Sequence, residues 1–203
     1  MTIGGPRYSK MGSTQVQRAH AIGMALYSYA NDNDQMYPDG SSSTEAFQKL
    51  LDGNYVTDPT VFYIPMPGKV APKPGQKLKP ENVSWDLTAP VSSSPGSQLP
   101  LLFMTGYKIN YVPGGSATPL HGIPQYGHTL QQPAWENWLG LSPKIDYEPS
   151  PGIAVFYVNN SAWFHSSAND VPYPDGSLTN FVPPDFKPDG KTYRQLTPEG
   201  VLK

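Results

Sequence analysis

Between Val16 and Pro38 the chain reads VQRAHAIGMALYSYANDNDQMYP. Apolar side chains return at Val16, Ala19, Gly23, Leu26 and Ala30, with Ile22, Ala25 and Tyr29 beside them, which is the stripe of an amphipathic helix with one buried face. Small residues alternate with large ones along that stripe, so the helix axis is expected to lie close to the layer covering it, and a β-sheet suits that role. Gly23 costs about 1 kcal/mol relative to Ala in a helix interior, which predicts a packing reason for it. Ser13 or Thr14 is the expected N-cap, with residues 1–12 frayed. Asn31-Asp32-Asn33-Asp34 ends the helix, because short polar side chains compete for backbone groups and tolerate left-handed conformations. Pro38 forbids continuation.

A second helix is announced by the capping-box pattern Ser42-Ser43-Thr44-Glu45, carries Ala46, Phe47, Leu50 and Leu51 on one face, and is expected to stop with Gly53 at C′. After Asp58-Pro59, Val61 to Ile64 reads as a short strand bounded by Pro65 and Pro67. Met66 to Pro80 is a Pro/Lys/Gly surface loop. Strands are expected over Val83–Leu87, Leu101–Met104 and Lys108–Val112, the last two joined by a turn at Thr105-Gly106. Pro113 to Ser150 reads as a long irregular insertion with a helical turn or two from Pro133 to Leu139. Ile153–Val158 and Ser161–His165 flank Asn159-Asn160, which is the strongest hairpin signal in the chain. Both strands are apolar on both faces and predict a central position, with the first helix on one side and loops on the other. Past Asp170 the tail is Pro-rich, with an extended segment near Tyr193 to Leu196. The pattern predicts an α+β fold in one domain spanning 13–203: an N-terminal helix packed on an antiparallel β-sheet of about four or five strands, with long irregular loops.

Composition narrows this picture. With 24 Pro and 19 Gly in 203 residues, long helices beyond the first are disfavoured. The net charge is −2 and no Lys/Arg cluster stands out, so nucleic acid is not an expected partner. No cysteine is present, which excludes disulfides and thiolate chemistry. No apolar run approaches the roughly 20 residues of a membrane helix, and the opening MTIGGPRYSKMGS does not read as a signal peptide.

Ile22-Gly23-Met24-Ala25-Leu26-Tyr27-Ser28-Tyr29-Ala30-Asn31-Asp32-Asn33-Asp34, closed by Tyr37-Pro38, resembles the end of the first helix in bacterial type IV pilin-like proteins. The similarity is to the pseudopilins related to type II secretion, in the set common in planctomycetes and verrucomicrobia. Those proteins continue with a short helix ending in a Gly-Tyr-Val-type element, an Asp-Pro and a Phe-rich strand ending in Cys-Pro; here Phe47 to Pro65 reads FQKLLDGNYVTDPTVFYIP. The likeness extends more loosely to the strands near Pro100 and Gly152. Gln15 and Ile64 stand where the family often has a pair of cysteines, so the resemblance implies a disulfide dropped as a unit. Val158 to Trp163 keeps a late hairpin without the His and Asp-Gly that many relatives carry there, and no role tied to that signature is carried over.

The resemblance implies a pilin-like fold and a non-catalytic subunit of a pseudopilus or pilus-like filament. Its implied partners are homologous pilin or pseudopilin subunits, the secretion or pilus assembly machinery, and the inner membrane, reached through an apolar helix and cleavable leader preceding residue 1. The implied location is the periplasm or cell surface. The helix packing face would be Val16, Ala19, Ile22, Gly23, Leu26 and Ala30.

Other chemistry is sparse. Asp32, Asp34 and Asp39 invite a calcium reading, since hard cations take carboxylate oxygens from flexible loops. The EF-hand template fails, because Tyr37 stands where Gly belongs and Ser43 where Glu belongs, and a helix stop with Asx turns is the competing reading. The acidic calcium motif of the major pseudopilins is not found, so no cofactor is expected. His20, His121, His128 and His165 are scattered; His121 and His128 share one Gly-rich loop, where two histidines without a third ligand read as solvated loop histidines rather than a metal site. The common hydrolase, metalloprotease and nucleotide motifs are absent. Aromatic residues make up 12% of the chain. Trp135 and Trp138 lie three apart on one short helical face, either anchoring a loop or offering a platform. On the second reading the chain is a secreted carbohydrate- or ligand-binding module, whose glycan binding would vanish on Trp138→Ala.

Overall fold

The computed structural model describes residues 5–93, 98–129, 145–149, 152–166, 176–188 and 190–202. Helix α1 runs Gly5–Asp32, 28 residues, and so begins before the expected cap at Ser13 or Thr14. Pro6 sits in its first turn, where a missing N–H leaves no intrahelical bond unmade, and residues 5–12 are helical rather than frayed. The stop falls where the Asn/Asp run predicts it. Asp34 and Gln35 take φ of 52° and 61°, the Gln35 N–H reaches back to Ala30 O at 2.8 Å, and Asn33 Nδ2 donates to Tyr29 O at 2.8 Å.

Helix α2 spans Ser43–Asp52. Ser42 Oγ accepts the Glu45 amide at 3.1 Å, while the Glu45 carboxylate accepts both N–H and O–H of Ser41, at 2.8 and 2.7 Å. These bonds satisfy donors that the first helical turn leaves free. Ser42→Ala is expected to cost about 1 kcal/mol, read as a lowered urea midpoint at unchanged slope. At the other end the expectation for Gly53 fails in an instructive way: Gly53 has φ −86°, and Asn54 takes the left-handed turn at φ 59°. A Cβ on Gly53 would lie 2.5 Å from the Tyr55 ring, so that glycine is there for space, not for handedness.

The strand expected at Val61–Ile64 is not formed. Pro59–Phe62 is a 3₁₀ turn, capped by Asp58, whose Oδ1 accepts the Thr60 N–H at 2.9 Å. An Asp cap followed by Pro at the first helical position starts a turn, and this outweighs the β preference of Val61 and Phe62. The turn drives Phe62 onto Phe47 of α2, ring stacked on ring at 4.8 Å.

Nine strands follow among the described residues: β1 Trp85–Ala89, β2 Pro100–Met104, β3 Tyr107–Ile109, β4 Ala117–Pro119, β5 Gln125–Thr129, β6 Ile145–Pro149, β7 Gly152–Tyr157, β8 Ala162–Ser166 and β9 Arg194–Leu196. Five of them form one antiparallel sheet in the order β8-β7-β2-β1-β9. With two α-helices, the described residues make an α+β fold. Register places Leu196, Leu87, Leu102, Phe156 and Ala162 in one row across the sheet, with Gln195 and Thr88 in one neighbouring row and Asp86, Phe103, Val155 and Trp163 in the other. Adjacent rows face opposite ways. The Leu87–Phe156 row lies beneath α1; the Asp86–Trp163 row faces the other layer.

That second layer comes from the strand expected over Lys108–Val112, which forms as β3, and from the stretch after it that was expected to be irregular. β3 pairs with β4 and β5 with β6 as two separate ribbons. Gly106, at φ 104°, carries the chain out of the main sheet, so β2 and β3 do not form the hairpin their spacing suggests. Phe181 meets Phe103 edge-on at 5.9 Å and its carbonyl accepts the Tyr157 hydroxyl at 2.9 Å. β1, β2 and β7 are consequently buried on both faces. The β7–β8 hairpin forms as expected, but only Asn160 has positive φ, at 63°, which makes a three-residue loop with a left-handed last residue. β8 is an edge strand and not central; Trp163 on it is 61% exposed.

The final strand β9 closes the opposite edge against β1. It is tied down beyond the ladder: the Ser43 N–H donates to Thr197 O at 2.9 Å and Thr44 Oγ1 to Pro198 O at 2.8 Å.

Candidate functional site

The face expected to pack is the face that packs. Ala19, Ile22, Leu26 and Ala30 have no exposed surface, Gly23 is buried, and Val16 is half-buried against the core. A Cβ added at Gly23 would fall 2.4 Å from Cγ and Cδ2 of Phe156. The helix therefore rests its backbone on the ring of an interior strand, and His20 meets the same ring edge-on at 6.1 Å. One turn away, Arg18 donates from Nη1 to the carbonyls of Thr60 and Tyr63, fastening α1 to the 3₁₀ turn. The other side, with Gln17, Ala21, Met24, Ser28 and Asn31, is exposed.

A strongly perturbed carboxyl in the interior is one the sequence reading missed. Asp86 lies between Trp85 and Leu87 on β1 with no exposed surface. Burial pushes its carboxyl from 3.8 up to about 7, against hydrogen bonds from Gln195 and Thr105 that favour the charged form. Gln195 is the hub of this interior. Its Nε2 donates to Asp86 Oδ2 and to Tyr107 O, both at 2.6 Å, and its Oε1 accepts the Ile109 N–H at 3.1 Å. One side chain thus joins β9, β1 and β3. Around it Tyr107, Tyr111 and Tyr126 all have their phenol pKa raised by burial. Tyr111 exchanges a hydrogen bond with Thr88 at 2.9 Å, whereas the buried Tyr107 and Tyr126 hydroxyls have no partner among the described residues. A signal was present: in a strand whose neighbours are all apolar, a lone Asp at an inward position marks either a buried polar centre or an edge, and here it is the former.

The three acidic candidates are not drawn together. Asp32 Oδ2 accepts the Tyr55 hydroxyl at 2.9 Å, which raises the Tyr55 pKa; Asp39 pairs with Arg194 and accepts the Gly40 N–H at 2.7 Å; Asp34 is exposed in the left-handed turn. Among the described residues no three His, Cys, Asp or Glu side chains group to hold a metal. His121 is exposed in a turn, and His165 shares a 2.9 Å hydrogen bond with Tyr157. Trp135 and Trp138, and the helical turn expected around them, lie outside the described residues.

A feature that sequence spacing concealed is cationic. Lys73, Lys77 and Lys79 line one open cleft of about 170 Å³, which adjoins a second of about 340 Å³ at Gln76 and Lys77. The lysines are separated in sequence by Pro, Gly and Leu, and they converge because the loop folds back on buried Pro72 and Leu78. No family model, no curated protein and no solved structure matches the chain.

Proposed function

We propose that the chain is the globular head of a pilin-like filament subunit, which acts by assembling with copies or homologues of itself and performs no catalysis. In the full protein an apolar helix ahead of Met1 would hold it to the inner membrane and then line the filament, with the head in the periplasm or at the cell surface. The observation that carries this reading is the seating of α1. A 28-residue helix, about 42 Å long at 1.5 Å per residue, has its backbone set against the sheet at Gly23 and Phe156. A head fixed to a rod in this way transmits a set angle to whatever continues the rod. Two further features support it. Gln15 and Ile64, where the family often has a cysteine pair, are only 5% and 3% exposed. Arg18 bridges the α1 turn after Gln15 to the residues just before Ile64.

The test uses the complete reading frame expressed beside a pilus assembly system. Because the chain has no cysteine, Met24→Cys on the exposed side of α1 gives a single thiol for a dye. Labelled, sedimentable filaments sheared from cells are the expected result. A reading frame that encodes no apolar segment upstream of Met1, or labelled protein that stays monomeric, removes the proposal.

A further inference from the structure

The Met66–Pro80 loop contains four lysines and no acidic residue in a chain of net charge −2. Such a loop buries little apolar surface, so its order has to come from elsewhere. It is pinned throughout. The Val70 N–H donates to Glu81 O at 2.8 Å, the Leu78 N–H to Gln48 Oε1 at 2.8 Å, and Asn82 Nδ2 to Val70 O at 3.0 Å. Gly75, at φ 76°, makes the reversal between Lys73 and Gln76. Lys69 is held inward, donating to Pro80 O at 3.0 Å and pairing with Glu199 at 3.2 Å. Lys73 and Lys77 are exposed, with no ion pair among the described residues, and Lys79 has a 3.9 Å contact to half-buried Glu81 in the wall of the same cleft.

The surroundings say what such a cleft suits. No aromatic side chain lines either cavity, so there is no platform on which bases would stack. No arginine lines them either, so the forked geometry that selects phosphate is missing. What remains is three lysine point charges beside the Gln76 amide, outnumbering the one carboxylate in each wall, Glu81 in the smaller cleft and Asp52 in the larger, with Val70, 60% exposed, on the rim. Charges, amides and a small apolar contact match the carboxylates, backbone and side chains of an extended acidic polypeptide. We propose that this cleft is a docking surface for an acidic polypeptide segment of a partner protein, with Lys73 and Lys77 as its principal contacts. The site stands apart from the seating of α1 and does not depend on assembly into a filament.

Fluorescence anisotropy of a labelled oligo-glutamate peptide against the full chain at low ionic strength tests it. Binding that weakens with added salt, and weakens about fivefold in Lys73→Gln/Lys77→Gln, is expected. Lys187→Gln/Lys191→Gln, with the same change in net charge at exposed positions elsewhere, should bind like the parent chain. Equal losses in the two variants would mean attraction to net charge alone and would overturn the site. So would no binding by the parent. Oligothymidylate bound as tightly as the peptide, and lost in the same variant, would overturn the choice of partner.

Discussion

Gly23→Val is expected to lower the unfolding free energy by about 3 kcal/mol, the upper end of what over-packing costs. Phe156 has no exposed surface and shares its row with Leu102 and Leu87, so its ring has nowhere to retreat when atoms arrive 2.4 Å from it. Gly23→Ala is the more telling variant, because two effects oppose each other in it. Alanine improves helix propensity by about 1 kcal/mol while its methyl group collides with the ring, and the collision is expected to win in the parent chain. In a Phe156→Leu background the collision is relieved and the propensity gain is uncovered, so the same change should become neutral or stabilising. Urea midpoints of the four chains measure this coupling directly. If Gly23→Ala stabilises the parent chain, the helix does not sit where the structure places it.

Stability is expected to fall as pH rises from about 4 to about 7, and Asp86→Asn should flatten most of that slope. A carboxyl whose folded pKa lies above its unfolded value binds its proton more tightly when folded, so the folded state gains in acid and loses that gain as the proton leaves. For Asp86 the window runs from 3.8 to about 7. At about 1.4 kcal/mol per tenfold change in affinity, this is on the order of 4 kcal/mol across the window. Glu45 and Asp58 have lowered pKa values, from backbone hydrogen bonds at Ser41 and Thr60, and their contributions fade only as pH falls below 4.5 and 3.8, at the acid end of this window and beyond it. Thermal midpoints at intervals from pH 4 to 8 suffice. An Asp86→Asn chain with the parent's slope would show that the charge lies elsewhere.

Much of the fold could be read from side-chain periodicity because it depends on it. The α1 stripe was legible since a helix on a sheet must bury one face, and the Gly23 penalty pointed to a contact before the contact was visible. β2 and β7 followed from apolar runs bounded by turn residues, and β9 fell within the extended segment expected near Tyr193 to Leu196. Where local chemistry competed, periodicity misled: Asp58-Pro59 made a turn out of an apolar run, and Asn54 took the left-handed position that Gly53 was expected to fill. The strand expected over Lys108–Val112 formed as β3 but paired with β4, and β4, β5 and β6 were missed because their residues are short, mixed and Gly/Pro-interrupted, and gain their partners only in three dimensions. The same is true of both polar centres. Asp86 meets Gln195 across 109 positions, and Lys73 and Lys77 share a cleft only because Pro72 and Leu78 are buried.

That long separation has a consequence for the order in which the molecule can be made. With β8 in place, four of the five strands of the main sheet and the helix above them are present, yet β1 still shows a bare rim of N–H and C=O groups, and Asp86 still lacks its amide. Residues Arg194 to Leu196 fill both gaps at once, from more than a hundred positions away in sequence. A molecule whose β9 has come away from β1 would offer that border to its neighbours as a place to add a strand, and the three residues of β9 are what keep it covered.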